Sequence, residues 1–323
     1  MFLATSIVAL IAGELFVRLI DSNMIIYDLE MAKYATLLKV NSKNTDRCHQ
    51  HKKNSHARLM GVDVATNSLG LRDKEYGVVK PNHAYRILVL GDSLTLGWGV
   101  KQDDCYSKRL EVFLNKRLSA KTGLVYEVIN SGVGNYNTVQ EWTYFIEEGY
   151  QLDPDMIILG FYINDAEPVP TRTKSFFLNY SHLAVLLWSR ANIIMARFFS
   201  KESYKEYYDD LYRNENMGWV RCKKALRELI EYGKLNSKKV VIAFIPELHD
   251  LSDNYPFKEA HQKVGDYMQS QESAHYFNLY EDLRGGEGKS LWVSYEDAHP
   301  NKNGHELIAE AIYKHLTTKR ILQ

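Results

Sequence analysis

The sequence predicts an α/β protein with a central parallel sheet, preceded by an N-terminal transmembrane helix. Two observations carry the α/β part: from Arg86 onward, apolar runs of strand length alternate with longer amphipathic runs, and each apolar run stops at a polar or glycine-rich turn. A third is the opening stretch, residues 1–20, apolar over nearly its whole length. With 323 residues, 45% of them hydrophobic and 25% charged, the chain can bury one large core. Its 40 basic and 40 acidic residues cancel and form no extended basic run, so nucleic acid is not an expected partner.

Residues 1–20 read as a membrane anchor interrupted only by Glu14 and Arg18, which stand four apart and can pair on one helix face. A cleaved signal peptide would want a basic start and a small-residue cleavage site, and neither is clear. The competing reading is an amphipathic helix packed on the domain, because the uncharged part, residues 2–13, is short for a span. Lys33, Lys39, Lys43, Arg47, Lys52 and Lys53 follow, and by charge alone would hold that flank in the cytoplasm.

Residues 21–58 have weak periodicity and read as a linker or irregular segment, with the polar run 41–56 as a mobile loop. Cys48-His49-Gln50-His51, with His56 beyond, offers metal-ligating residue types, but no second cluster completes a standard site, so no metal is expected. Cys48, Cys105 and Cys222 show no CxxC spacing, and no disulfide is required. The domain proper spans 59–323, entered through a short hairpin at 63–76 that turns at Gly70.

Strands follow at 87–90, 126–129, 156–161 and 240–245, with helical patterns at about 106–120, 138–149 and 218–235 between them. An edge strand at 276–280 and a helix at about 303–317 close the sheet. An insertion at about 166–216 exceeds a normal connection, and Phe177, Leu183, Leu187, Trp188 and Ile194 give it wide apolar helical faces. Its readings are a packed helical pair, a lid over the site, or a surface resting on a bilayer. Gly285-Gly-Glu-Gly-Lys-Ser290 imitates the end of a phosphate loop but has Leu283 where the first glycine belongs, and reads as a turn.

Two stretches carry chemistry. In Gly91-Asp-Ser93 a buried strand hands over to a glycine and then a hydroxyl, at the sheet edge where ligands of open α/β folds bind. In Asp297-Ala-His299 an acid precedes a histidine, with Pro-Asn-Lys-Asn-Gly-His305 behind it. A serine nucleophile needs an imidazole to take its proton and a carboxylate to fix the ring tautomer, and these residues supply both. We take Ser93 as nucleophile, His299 as base and Asp297 as its orienting acid.

These residues resemble the SGNH, or GDSL-type, hydrolases and acyl esterases. Gly91-Asp-Ser-Leu is similar to the first block of that family, Asn130-Ser-Gly-Val-Gly-Asn-Tyr-Asn137 to the second, Tyr162-Ile-Asn-Asp165 to the third and Asp297-Ala-His-Pro-Asn301 to the last. The resemblance spans roughly residues 67–316 and is closest to a membrane-anchored bacterial branch in which Asn67-Ser-Leu-Gly-Leu-Arg-Asp73 precedes the first strand. It implies a three-layer α/β/α, flavodoxin-like fold, no cofactor, and an oxyanion hole built from the Ser93 N–H, a second-block N–H and the Asn164 amide. It also implies an extracytoplasmic catalytic domain acting on an acylated glycan or lipid.

The chain departs from the family pattern in three places. Counted from Asn130, the family's oxyanion glycine falls on Asn135, with Gly134 the competing donor; a backbone N–H needs no particular side chain, and asparagine tolerates left-handed backbone. Tyr162 stands where a glycine is common. The family's usual acid, three residues before the histidine, is here Glu296, while Asp297 stands two before; Asp297 is favoured and Glu296 stays open. The expected activity is a serine esterase working through an acyl-enzyme on a short acyl ester, acetyl foremost. An O-acyltransferase on a polysaccharide, or a non-enzymatic glycan- or membrane-binding protein on the same fold, are the alternatives.

Overall fold

The chain alternates strand and helix as its hydropathy implies, but the described residues up to Ala65 are folded onto the domain as well. In the computed structural model, which describes residues 2–24, 26–170, 176–199 and 203–322, two helices come first, α1 (Phe2–Ile20) and α2 (Tyr27–Leu37). Two antiparallel hairpins follow, β1 (Lys39–Asn41) with β2 (His49–His51), and β3 (His56–Leu59) with β4 (Val62–Ala65). The body then runs β5 (Ala84–Gly91), the single turn α3 (Ser93–Leu96), α4 (Tyr106–Thr122), β6 (Val125–Asn130), α5 (Thr138–Glu147) and β7 (Met156–Phe161). The insertion supplies α6 (Phe176–Tyr180), α7 (His182–Phe199) and α8 (Tyr204–Leu211). After it come α9 (Met217–Leu235), β8 (Lys239–Phe244), α10 (Lys258–Gln269), β9 (Ala274–Asn278), α11 (Tyr280–Leu283), the hairpin β10 (Trp292–Ser294) with β11 (Asp297–Pro300), and α12 (Lys302–Thr318).

The main sheet is parallel throughout, in the order β6-β5-β7-β8-β9. Numbered by appearance its strands lie 2-1-3-4-5, the flavodoxin-like order, whose chain direction switches between the first and third strands. Ser93 follows β5 and Asn164 follows β7, so both candidate residues sit at that switch point, outside the carboxyl ends of the strands. Helix α4 packs with α12 and α5 packs with α9. Between these pairs Ile87, Leu88, Val89 and Leu90 of β5 and Ile157, Ile158 and Leu159 of β7 are wholly buried, which is why these runs are apolar at every position instead of alternating. Each such side chain contributes roughly 1.5–3 kcal/mol through burial.

The segment expected as linker or mobile loop is ordered. Tyr34, Leu38, Ala57, Leu59 and Val64 form a second apolar cluster that closes over Leu96 and Trp98, beside the nucleophile turn. His49 and His51 are buried with it, where solvated side chains were expected. The hairpin expected at 63–76 lies earlier, at 56–65, with Met60 and Gly61 at its turn, both in left-handed backbone.

The N-terminal helix also requires correction. Residues 2–20 are helical, but among the described residues no helix is long and apolar enough to cross a membrane. Its polar residues are committed laterally to the insertion, not only to each other. Glu14 accepts hydrogen bonds from Ser181 Oγ (2.8 Å), the His182 N–H (3.1 Å) and the Leu183 N–H (2.9 Å), capping the start of α7, while Arg18 donates to Glu14 (2.7 Å) and to the Tyr180 carbonyl (2.9 Å). Burial alone would raise the Glu14 carboxyl, but these donors outweigh it and hold it at about 2. Helix α7 packs along both α1 and α2, so the insertion is a helical layer joined to the N-terminus. Its residues 171–175 and 200–202 lie outside the described residues, as does Met1 of the expected anchor.

Candidate active site

The nucleophile turn is fixed at both ends. A Cβ on Gly91 would stand 1.9 Å from Thr95 Oγ1, so only glycine lets β5 run into the turn at this closeness. Asp92 then caps α3, its Oδ1 accepting the Leu94 N–H at 2.8 Å. At the other end the buried Arg72 donates to the carbonyls of Leu96 (3.0 Å), Gly97 (2.6 Å) and Val100 (2.7 Å). Next to it Asp73 accepts the Asn130 N–H (2.8 Å) and an ion pair from Lys108, tying the second block to the same base. The stretch 67–73 thus positions the site without entering it.

Ser93, His299 and Asp297, 206 residues apart at the extremes, meet as a relay. Ser93 Oγ lies 2.8 Å from His299 Nε2, and His299 Nδ1 lies 2.6 Å from Asp297 Oδ1. Asp297 also accepts the His299 backbone N–H (3.0 Å) on Oδ1 and the Trp98 indole N–H (3.0 Å) on Oδ2. Burial pushes this carboxyl up, but the His299 and Trp98 donors prevail and hold it below the usual carboxylate range. An ionised carboxylate only accepts, so Nδ1 carries the proton and the Nε2 lone pair faces the serine hydroxyl. The competing acid, Glu296, is exposed at the cleft rim and bonds to nothing among the described residues. The loop expected around this pair is the β10–β11 hairpin, whose irregular register places Asp297 opposite Ser294.

The three candidate donors, on Ser93, Asn135 and Asn164, line one cavity. The Ser93 N–H is in the first turn of α3, where no intrahelical acceptor exists. Asn164 spends one Nδ2 hydrogen on Asp92 Oδ2 (3.1 Å), which aims the amide and leaves its second hydrogen for the cleft. In the second block the Gly134 N–H is already taken by the Tyr34 hydroxyl (2.9 Å), whereas the Asn135 N–H bonds to nothing among the described residues. Asn135 has a left-handed backbone, φ 63°, as its residue type permits.

This geometry rests on residues that no motif announced. The carbonyl of Gly134 belongs to the same peptide unit as the Asn135 N–H, and it accepts from Lys39 Nζ (2.5 Å) and lies 3.1 Å from His49 Nε2. Lys39 also donates to Asn135 Oδ1 (3.0 Å). The Tyr34 hydroxyl lies 2.7 Å from His51 Nε2, and His51 Nδ1 lies 3.0 Å from the Gly70 carbonyl. A Cβ on Gly134 would stand 2.7 Å from the Tyr34 ring, so that glycine is needed for close approach and not for donation. The pattern of small and polar residues in 39–51 gives no periodicity to read, and only its place over the second block reveals the contacts.

A cavity of about 340 Å³ opens on Ser93 and His299, walled on the other side by Glu247 and His249. A second, of about 440 Å³, adjoins it across Asn135 and Asn164 and reaches Thr36, Cys48 and Leu178. Tyr162 lines the first, beside Ser93. Among the described residues no group of histidine, cysteine and carboxylate side chains is arranged to hold a metal ion.

The family model for GDSL-like Lipase/Acylhydrolase matches residues 89–307. A search of curated proteins finds no match. Among solved structures the chain is similar to a two-domain esterase active on acetylated mannans, at 17% identity and TM-score 0.45, covering 73% of this chain and 49% of that one, so it spans about half the length of that relative. It is also similar to a lipase/acylhydrolase from Enterococcus faecalis, at 15% identity and TM-score 0.45, covering 73% of this chain and 96% of that one. A third is a psychrotrophic esterase from Pseudoalteromonas sp., at 15% identity and TM-score 0.43, covering 72% and 97%.

Proposed function

Because the chain belongs to the GDSL-like lipase/acylhydrolase family and is therefore an ester-cleaving hydrolase, we propose that it is a serine esterase that removes a short acyl group, acetyl foremost, from a hydroxyl of a glycan or lipid. The observation that carries this reading is the relay from Asp297 through His299 to Ser93, at 2.6 and 2.8 Å. His299 takes the Ser93 proton as Oγ attacks the ester carbonyl, and Asp297 stabilises the imidazolium that results. The tetrahedral oxyanion is held by the N–H groups of Ser93 and Asn135 and by the Asn164 amide, donors fixed in place before the charge develops. His299 then gives its proton to the departing alcohol, leaving an acyl-Ser93 that water, activated by the same imidazole, hydrolyses.

Labelling with a fluorophosphonate tests the nucleophile. Ser93 in the folded wild-type chain should be modified and Ser93→Ala should not; a folded wild-type protein that resists the reagent ends the proposal.

We also place the catalytic domain outside the cytoplasm, against a membrane surface met by α1. The side is supported by the resemblance to an anchored bacterial branch. The membrane contact is supported by Val8, Phe16 and Leu19 of α1, 66%, 62% and 71% exposed, beside the exposed Leu187 and Trp188 of α7. Full-length protein should float with phospholipid vesicles, and a Val8→Ser/Phe16→Ser/Leu19→Ser variant should stay at the bottom of the gradient. Wild-type protein that fails to float removes the membrane from this reading.

A further inference from the structure

The cleft holds a second acid-x-histidine pair that the relay does not use. Glu247-Leu-His249 lies in the loop after β8 and Asp297-Ala-His299 in β11, and both pairs line the same cavity of about 340 Å³. The local geometry repeats. In each pair the carboxylate accepts the histidine's own backbone N–H, at 2.9 Å in Glu247–His249 and 3.0 Å in Asp297–His299, and also pairs with the ring Nδ1.

This second pair is built into the fold. Glu247 is buried, and its N–H donates to the Tyr255 hydroxyl at 2.9 Å; Trp292 donates its indole N–H to the Leu248 carbonyl at 2.9 Å. The His249 ring lies against Trp292, ring centres 4.8 Å apart, with Tyr204 at 6.3 Å. The two imidazoles differ in one respect. His299 Nε2 meets Ser93, whereas His249 Nε2 bonds to nothing among the described residues, on a side chain that is 55% exposed at the cleft. Nothing in acyl transfer at Ser93 requires a second base, because one imidazole serves both half-reactions.

Which part of a substrate would meet His249 follows from the chemistry. His299 must hand a proton to the departing oxygen, so the alcohol portion lies on the imidazole side of Ser93, in the cavity His299 shares with His249. An anionic alcohol portion is disfavoured there by Glu247, Glu296 and Asp297, all lining the same cavity. A neutral ring bearing hydroxyls suits it, since the pair supplies a polar nitrogen beside aromatic faces.

Resting on the esterase reading, we propose that Glu247 and His249 form the alcohol-side subsite, binding a free hydroxyl of a neutral sugar ring next to the ester that Ser93 attacks. Glu247 holds the ring of His249 as Asp297 holds that of His299, and Nε2 makes the hydrogen bond to the sugar. The hydrogen bond to Glu247 raises the His249 pKa above its ordinary value, keeping the pair well joined near neutral pH.

The test compares a monoacetylated methyl glucoside, which keeps free hydroxyls beside the ester, with p-nitrophenyl acetate, which has none. In His249→Phe, which preserves the ring against Trp292, the ratio of kcat/KM for the sugar ester to that for the aryl ester should fall at least tenfold, mainly through KM. An equal loss on both esters, or none on the sugar ester, overturns the subsite. Calorimetry of the acetylated glucoside with Ser93→Ala is independent of turnover. Binding should weaken at least tenfold in Ser93→Ala/His249→Phe; unchanged affinity, or no binding by Ser93→Ala itself, overturns the subsite whatever the fate of Ser93 as nucleophile. Loss of fluorophosphonate labelling with retained sugar binding would overturn the esterase reading and leave the subsite standing.

Discussion

Replacing Lys39 by methionine should slow the chemical step by acting through the Gly134–Asn135 peptide. The Lys39 ammonium donates to the Gly134 carbonyl at 2.5 Å, on the far side of the peptide unit whose N–H is the Asn135 donor. A cation on that carbonyl polarises the peptide and strengthens its N–H, and the contact to Asn135 Oδ1 at 3.0 Å holds the left-handed turn that aims it. Complete loss of one oxyanion donor costs about a hundred- to a thousandfold in kcat, and that is the ceiling here because the Asn135 N–H remains. A hydrogen bond to a charged group is worth about 1.5–3 kcal/mol, and His49 continues to hold the carbonyl at 3.1 Å. We therefore expect Lys39→Met to lower kcat about 10- to 100-fold, roughly 1.4–2.7 kcal/mol on the barrier, with KM within about twofold. The assay is steady-state hydrolysis of p-nitrophenyl acetate, normalised to sites titrated with a fluorophosphonate so that misfolded protein is not counted. A kcat within twofold of wild type, or a loss confined to KM, would refute the argument that this ammonium acts through the oxyanion peptide.

Asn164→Ala removes a donor that Asp92 aims and should reduce kcat by roughly 10²–10³ with little change in KM; near-normal turnover would mean the hole is elsewhere. Asp297→Asn should cost several orders of magnitude in kcat by favouring the wrong imidazole tautomer, while Glu296→Gln, at an exposed position, should be close to wild type; two folded variants ranked the other way round would move the acid role to Glu296. Finally, burial holds His51 at about 3, opposed only in part by its Gly70 contact, so between the unfolded value near 6.5 and about 3 the unfolded chain binds a proton that the folded chain refuses. Stability is therefore untouched above about pH 6.5 and falls as pH drops through that window, by roughly 1.4 kcal/mol per pH unit for this one group. Urea midpoints should decline from pH 6.5 to 4, and a folded His51→Gln variant should show a shallower decline; parallel slopes would exclude His51 as a source.

The five strand runs, the helices between the first four, and the residues at the strand ends were legible because each follows from local physics. A strand buried on both faces must be apolar throughout, and the turn after it must carry glycine and polar caps, so 87–93 and 156–165 declare their place in the fold. Helix α10 was not anticipated: its apolar face is narrow, with Ala260, His261, Val264 and Met268 buried in a run otherwise polar. The N-terminal stretch was misread for the opposite reason. Its apolar content suggests a span, but hydropathy does not say whether Glu14 and Arg18 meet only each other or also cap a helix more than 160 residues away.

The choice between Asp297 and Glu296, and between Asn135 and Gly134, was beyond the sequence because each pair are neighbours with equal claims by spacing. In the fold the two members of each pair point different ways. The β10–β11 hairpin turns Asp297 inward toward Trp98 and leaves Glu296 in solvent, and Tyr34 consumes the Gly134 N–H. Lys39, by charge alone a mark of a cytoplasmic flank, proves to be a buried partner of the Gly134 carbonyl 95 residues on. By itself the sequence determined the layers, the candidate nucleophile and base, and the family, since these depend on periodicity and on short contiguous blocks. The tertiary structure alone decided which of two adjacent carboxylates meets His299, which of two adjacent N–H groups is left unbonded among the described residues, and which distant side chains hold them there, because a hydrogen bond depends on direction in space and spacing along a chain does not record it.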